Sequence, residues 1–293
     1  MESDRDMNAP ETALDPKDAR GVRVLVLTGY GLNCEAETAR GFEAAGATVE
    51  MLHLGDVAER AQPGKAFEGY HLLAFVGGFS FGDHIASGRV YANRLRFRFG
   101  DDLARFVDEG GLALGICNGF QTLAKLGLLP MLGREKGSGL PAQTASLVEN
   151  DRLGYFDVWV KLAVDAESPC VFTRGMGDAL LECPSRHGEG KLVFANEELA
   201  AQVEAAHLIP VRYADADGKA TEAWPANPNG SARGAAGLCD PSGRVFGLMP
   251  HPDAYLYPEN HPDWIAQREA GALPRRGAGM QIFENGVRAV VRG

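Results

Sequence analysis

A cysteine between two glycines is the residue in this sequence best placed to do chemistry. Cys117 lies in the string Gly-Ile-Cys-Asn-Gly at 115–119, where an apolar run gives way to a helical pattern. This is the sulfur version of the nucleophile elbow G-x-S-x-G, a sharp strand-to-helix turn. Glycines make room for such a turn, and amides at the start of the following helix favour a thiolate. The string also fits a buried structural cysteine, so residues elsewhere in the chain are needed to distinguish a reactive cysteine from a structural one.

A reactive cysteine needs a base, and the base needs a group that orients it. His251 lies in a Pro-His-Pro turn after a predicted strand, and Asp253 follows two residues later, within reach of its far nitrogen. Cys117, His251 and Asp253 therefore form a candidate Cys-His-acid triad. His187, in the string His-Gly-Glu-Gly, is a second candidate base, and Glu189 beside it is a second candidate acid.

Alternating strands and helices must position these residues. Apolar and amphipathic patterns predict, in order, strand 22–27, helix 35–45, strand 48–54, strand 72–76, helix 93–109, strand 111–116 and helix 120–129. This alternation predicts an α/β fold, a doubly wound and mostly parallel sheet flanked by helices. Ligands bind beyond the carboxyl ends of the strands in such sheets. Gly77-Gly78 and Cys117 both follow strands, so we expect them to share one crevice.

The remainder of the chain is less regular. Further strands are predicted at 156–164, 208–213, 220–224, 235–240 and 245–249, and a closing helix at 280–291. The first three of these strands predict a small antiparallel flap built onto the sheet. Residues 1–21 are polar and contain prolines, which predicts a disordered leader. Residues 22–293 are predicted to form one domain, within which 254–279 is an irregular extension.

Composition excludes several classes of protein. The net charge of −10 over 293 residues argues against a dedicated nucleic-acid binder. No apolar run is long enough for a membrane span, and the absence of a secretory pattern predicts a cytoplasmic location. The five cysteines are odd in number, scattered and without C-x-x-C pairs, which argues against a disulfide framework and against a metal site.

Longer strings resemble a known family. The pattern Gly-x-Cys-x-Gly-x-Gln, with Gly-Gly upstream and His-Pro-acid downstream, is similar to the class I (triad-type) glutamine amidotransferases. Within that class, six strings occur in the same order as in the glutaminase subunits of phosphoribosylformylglycinamidine synthase. They lie at 31–34, 77–83, 115–121, 187–190, 225–231 and 247–252.

The resemblance implies a mechanism. Cys117 would attack the side-chain amide of L-glutamine and form a γ-glutamyl thioester, His251 would carry the proton, and Asp253 would hold the imidazolium. The other implied site residues bind the substrate or its oxyanion, namely Gly78, Phe79, Asn118 and Gln121. The family resemblance also implies that ammonia passes to a synthetase subunit, which binds ATP and Mg²⁺, and that this chain carries no cofactor. A small bridging subunit is a further candidate partner.

Three features depart from the family pattern. Asp253 replaces the family's glutamate and is one methylene shorter. An Asn-x-Ser segment of the family is replaced at 149–153, which puts its contacts with the glutamine backbone in doubt. The extension at 254–279 exceeds what a minimal subunit needs, and it is either a partner interface or a plain surface feature.

Two kinds of alternative stay open. The chain could be a glutaminase that feeds another acceptor, or a related thiol hydrolase of the same fold. It could instead be a non-catalytic regulatory subunit, although the presence of Cys117, His251 and an acid together argues against this.

Overall fold

The structure is a computed structural model that describes residues 16–62, 64–177 and 180–293. The strands that it describes are β1 (Arg23–Thr28), β2 (Thr48–His53), β3 (Leu72–Phe75), β4 (Leu112–Ile116), β5 (Ala145–Val148), β6 (Phe156–Val164), β7 (Leu180–His187), β8 (Lys191–Phe194), β9 (Val211–Ala214), β10 (Gly237–Cys239) and β11 (Val245–Leu248). The helices are α1 (Pro16–Gly21), α2 (Glu35–Ala44), α3 (Leu54–Arg60), α4 (Arg89–Asp108), α5 (Asn118–Lys125), α6 (Glu197–Ala205), α7 (Trp264–Glu269) and α8 (Met280–Arg292).

A six-stranded sheet forms the centre of the molecule, in the order β10-β11-β4-β3-β1-β2. Neighbouring strands are parallel except for β10, which is antiparallel to β11. Every residue of β3 and β4 is buried. Strands covered on both faces have continuous apolar sequences, which is why these runs could be recognised. The predicted α/β fold with a mostly parallel sheet is confirmed.

Helices flank this sheet. α2 packs against α8, where the rings of Phe42 and Phe283 meet edge to face with their centroids 5.0 Å apart. Helix α4 contacts α5, which itself packs on β3, β4 and β11. Among the described residues, no helix combines the length and the apolar composition needed to span a bilayer.

Two smaller antiparallel sheets, β7-β6-β9 and β5-β8, form the predicted flap. The predicted strand at 220–224 is wrong: the amide of Thr221 bonds the carbonyl of Tyr213, but only one isolated bridge forms and the chain then turns away. β7 was not predicted because Pro184 interrupts it. Proline is tolerated there since β7 is an edge strand of its sheet.

The ends of the domain differ from expectation. Of the predicted leader, residues 1–15 lie outside the described residues, whereas 16–21 form α1 with Ala19 buried. In the extension at 254–279, the rings of Tyr255 and His261 pack against Trp159 of β6, with centroids 5.1 and 4.9 Å away. The extension also contains α7, so part of it is ordered against the flap.

Candidate active site

The elbow around Cys117 is as sharp as its sequence predicts. Cys117 has φ 51° and ψ −106° between β4 and α5, and its amide donates to the carbonyl of Leu248 in β11, 2.8 Å away. A Cβ on Gly119 would lie 1.9 Å from the carbonyl oxygen of Phe75, and a Cβ on Gly115 would lie 2.7 Å from the carbonyl carbon of Gly119. Both glycines are therefore required for the elbow to pack.

The fold brings His251 to this elbow. It follows β11, and its amide donates to the carbonyl of Pro184 in β7 at 2.7 Å. The imidazole is buried, and its Nδ1 lies 3.1 Å from Oδ1 of Asp253. A Cβ on Gly77 would lie 2.9 Å from Cε1 of His251 and 3.5 Å from Cβ of Cys117, so the ring lies beside the elbow, where the Cys117 thiol donates to the carbonyl of Arg186 at 3.6 Å. Burial alone would lower the pKa of His251, but the charge and hydrogen bond of Asp253, together with the thiol, hold that pKa well above its usual value.

The shorter acid still reaches the imidazole. A 3-10 turn, Pro252–Ala254, places the Asp253 carboxylate under His251. Its second oxygen, Oδ2, accepts a hydrogen bond from Oγ1 of Thr38 in α2, 3.1 Å away. Thr38 was missed in the sequence because nothing local distinguishes it from any other helix residue. Thr38 orients Asp253, which in turn orients His251.

We expect Thr38→Val, which keeps the side-chain shape, to lower turnover by roughly 3- to 10-fold, the equivalent of about one hydrogen bond. Steady-state hydrolysis of the substrate measures this. Thr173→Val is the matched control, since Thr173 is also buried and bonds a carbonyl, that of Cys170, outside the site. An equal loss of turnover in both variants would contradict a role specific to Thr38.

The sequence matches a family model described as a CobB/CobQ-like glutamine amidotransferase domain over residues 21–290. The chain is a member of this glutamine amidotransferase family. It is 40% identical over 267 residues to the phosphoribosylformylglycinamidine synthase subunit PurQ of Dehalococcoides mccartyi, which covers 91% of this chain and 97% of that subunit. It is 37% identical over 245 residues to human phosphoribosylformylglycinamidine synthase, covering 80% of this chain and 18% of the human one. A chain in the structure of PurLQS from Thermotoga maritima matches with a TM-score of 0.64 and 25% identity, over 92% of this chain and 98% of that one.

The predicted oxyanion donors of the amidotransferase are the backbone amides of Asn118 and Gly78. Asn118 is the first residue of α5, so its amide belongs to the helix turn whose amides have no partner within the helix. In the loop after β3, the Phe79 amide donates to the carbonyl of Gly31, 3.0 Å away. Gly78 has φ 132° in this loop, and its role as an oxyanion donor stays a prediction.

Gln121 lies in a buried network beside the elbow. Its Nε2 donates to the carbonyl of Glu189 at 2.5 Å, and its Oε1 accepts from Nδ2 of Asn118 at 3.0 Å. A carboxylate oxygen of Glu189 accepts from the amide of Ser87. Contact between Gln121 and bound glutamine stays a prediction, and it requires this network to exchange partners.

His187 is the last residue of β7, and both of its ring nitrogens have hydrogen-bond partners. Nε2 accepts from Nδ2 of Asn229 at 3.0 Å, and Nδ1 is 3.3 Å from Oγ of Ser185. Burial, and after it the nearby charge of His251, lower the pKa of His187 to about 3. Asn150, in the segment that departs from the family, bonds the carbonyl of His187 and the amide of Gly190. This arrangement suits a structural role for His187.

The mouth of the site is aromatic. Tyr155, 54% exposed, lies with its ring centroid 6.1 Å from that of Phe79. Partial burial, followed by a negative charge on Cys117, raises the pKa of the Tyr155 phenol. No motif in the sequence singles out Tyr155.

Proposed function

We propose that this amidotransferase is the glutaminase subunit of a phosphoribosylformylglycinamidine synthase. The observation that carries the proposal is the buried group of Cys117, His251 and Asp253 at the carboxyl ends of β4 and β11. Similarity to PurQ along nearly the whole chain supports it independently.

The geometry supports a two-step hydrolysis. The Cys117 sulfur attacks the side-chain carbonyl carbon of glutamine, and the thiol proton passes to His251. The imidazolium then protonates the departing nitrogen, which leaves as ammonia from a γ-glutamyl thioester. Water, deprotonated by His251, attacks the thioester and releases glutamate and the thiol. The amides of Asn118 and Gly78 would hold the oxyanion in both steps.

The ammonia would be used by a partner. We propose a synthetase subunit, and with it a small bridging subunit, as partners in the cytoplasm. The synthetase would bind ATP and Mg²⁺ and convert formylglycinamide ribonucleotide to the amidine in purine biosynthesis. The matched part of the human relative is only 18% of that chain, which leaves most of it for other steps. The similar chain in PurLQS also belongs to an assembly, as its name indicates.

Reconstitution with a synthetase tests the proposal. We expect the two proteins to copurify and to form the amidine with glutamine as nitrogen donor, at a rate well above that of either alone. Glutamine hydrolysis without amidine formation would instead indicate another acceptor. Binding to the synthetase with no glutamine hydrolysis would indicate a regulatory subunit.

A further inference from the structure

A second thiol lies at the acid end of the triad. The sulfur of Cys34, a ring nitrogen of His251 and a carboxylate oxygen of Asp253 all lie within 4.8 Å of one another, and all three residues are buried. Cys34 comes from the start of α2, far along the chain from the other two. Sequence spacing argued against a metal site, but the fold assembles a group that spacing could not reveal.

The neighbouring atoms hold this group together. A Cβ on Gly77 would lie 3.1 Å from the sulfur of Cys34 and 2.9 Å from Cε1 of His251, so the missing side chain lets thiol and ring approach. Thr38 bonds Oδ2 of Asp253 and leaves Oδ1 facing the ring. The sulfur of Cys34 lies 3.6 Å from Oδ1 of Asn33, a weak hydrogen bond that a stronger ligand could replace.

We propose that Cys34, His251 and Asp253 form an inhibitory site for Zn²⁺ or a cation of similar softness. Thiolate, imidazole and carboxylate are the side chains that zinc prefers, and a solvent water would complete four-coordination. Neighbouring ligands of a tetrahedral zinc are roughly 3.5 Å apart, given bond lengths of about 2.0–2.3 Å. A movement of about an ångström within the group would reach this spacing. Mg²⁺, which requires six oxygen ligands, does not fit.

Zinc bound here would stop catalysis by changing the tautomer of His251. Nδ1 is the nitrogen beside Asp253, so it would donate its lone pair to the metal. A neutral imidazole carries its one proton on the other nitrogen. In the proposed mechanism that nitrogen takes the proton of the Cys117 thiol, and once protonated it could no longer do so. On binding, the Cys34 thiol proton would pass to solvent and the Nδ1 proton of a neutral ring would move to the other ring nitrogen, while the sulfur, Nδ1 and a carboxylate oxygen would replace three waters bound to Zn²⁺.

A surface cluster provides the matched control. Asp165, Glu167 and His207 also place three ligand atoms within 4.8 Å of one another, but Glu167 is exposed and the other two are only partly buried. Because His207 has φ 55°, it is replaced by asparagine, which adopts this conformation more readily than most residues with a side chain. His207→Asn therefore removes a ligand from this cluster without altering the buried group.

The experiment measures Zn²⁺ binding by competition with a chelating indicator, and glutamine hydrolysis over the same Zn²⁺ range. We expect one tight site per chain, inhibition that follows its occupancy, reversal by EDTA, and no inhibition by Mg²⁺. Cys34→Ala should weaken Zn²⁺ binding at least about 10-fold. Cys117→Ala and His207→Asn should bind Zn²⁺ as the unaltered chain does. Co²⁺ should give a thiolate charge-transfer band in Cys117→Ala but not in Cys34→Ala.

Only the inhibition measurement rests on the proposed function. The Zn²⁺ binding measurements do not, so their outcomes can separate the failure of this proposal from the failure of the proposed function. Binding by the inactive Cys117→Ala chain tests the site whether or not the chain hydrolyses glutamine. Unchanged affinity in Cys34→Ala would overturn the proposal, as would loss of the tight site in Cys117→Ala or in His207→Asn.

Discussion

Replacing Cys117 by alanine is expected to reduce glutamine hydrolysis by roughly 10⁴-fold or more, since the proposed thioester forms on its sulfur. With the synthetase present, glutamine-dependent amidine formation should fall to the same extent. Ammonia-dependent formation should survive, because the acceptor site lies on the partner. Comparing the two nitrogen donors in one preparation separates loss of the nucleophile from loss of the complex.

Cys183→Ala is the control for this substitution. Cys183 is a fully buried thiol in β7, and burial followed by the charge of Asp253 raises its pKa, so it stays protonated. We expect its removal to leave hydrolysis within a few-fold of the unaltered chain. Should Cys117→Ala retain glutamine-dependent synthesis, the thioester mechanism would be wrong.

The parts of the site that the sequence predicted share a physical origin. The elbow was recognisable because both of its glycines are required. A Cβ on Gly115 would meet the backbone of Gly119, and a Cβ on Gly119 would meet the backbone of Phe75 in the neighbouring strand β3. The buried strands β3 and β4 were recognisable because they are apolar on both faces. His251 could be selected because it lies in a Pro-His-Pro turn directly after a predicted strand. In each case a short stretch of sequence was enough to indicate the structure.

The residues that were missed act through long-range contacts. Thr38 bonds Asp253, 215 positions away, and the Pro184 carbonyl fixes the backbone of His251 from an edge strand. Neither contact leaves a periodic or compositional trace. Cys34 approaches the triad only because Gly77 has no side chain. Such neighbours become visible only once the strand order is known.

Asp253→Asn is expected to lower turnover by roughly 10²- to 10⁴-fold while the Cys117 thiol remains open to alkylation. An asparagine can donate its amide to Nδ1, which would favour the tautomer whose proton lies toward the thiol. Asp253→Glu, which keeps the charge and restores the family's residue, should retain most of the activity. Unchanged turnover in Asp253→Asn would show that Asp253 is not the orienting acid, and Glu189 would be the next candidate.

The same variant should change how stability depends on pH. Because the pKa of His251 in the folded chain is raised, its contribution to the free energy of unfolding is fully present below the pKa in the unfolded chain, about 6.5. This contribution is lost as pH rises through the folded pKa. In Asp253→Asn, burial dominates and favours the neutral ring, so stability should instead fall as pH drops below about 6.5. The difference in melting temperature between the two proteins should therefore widen as pH is lowered from 8 to 5. A constant difference over that range would mean that Asp253 does not govern the charge of His251.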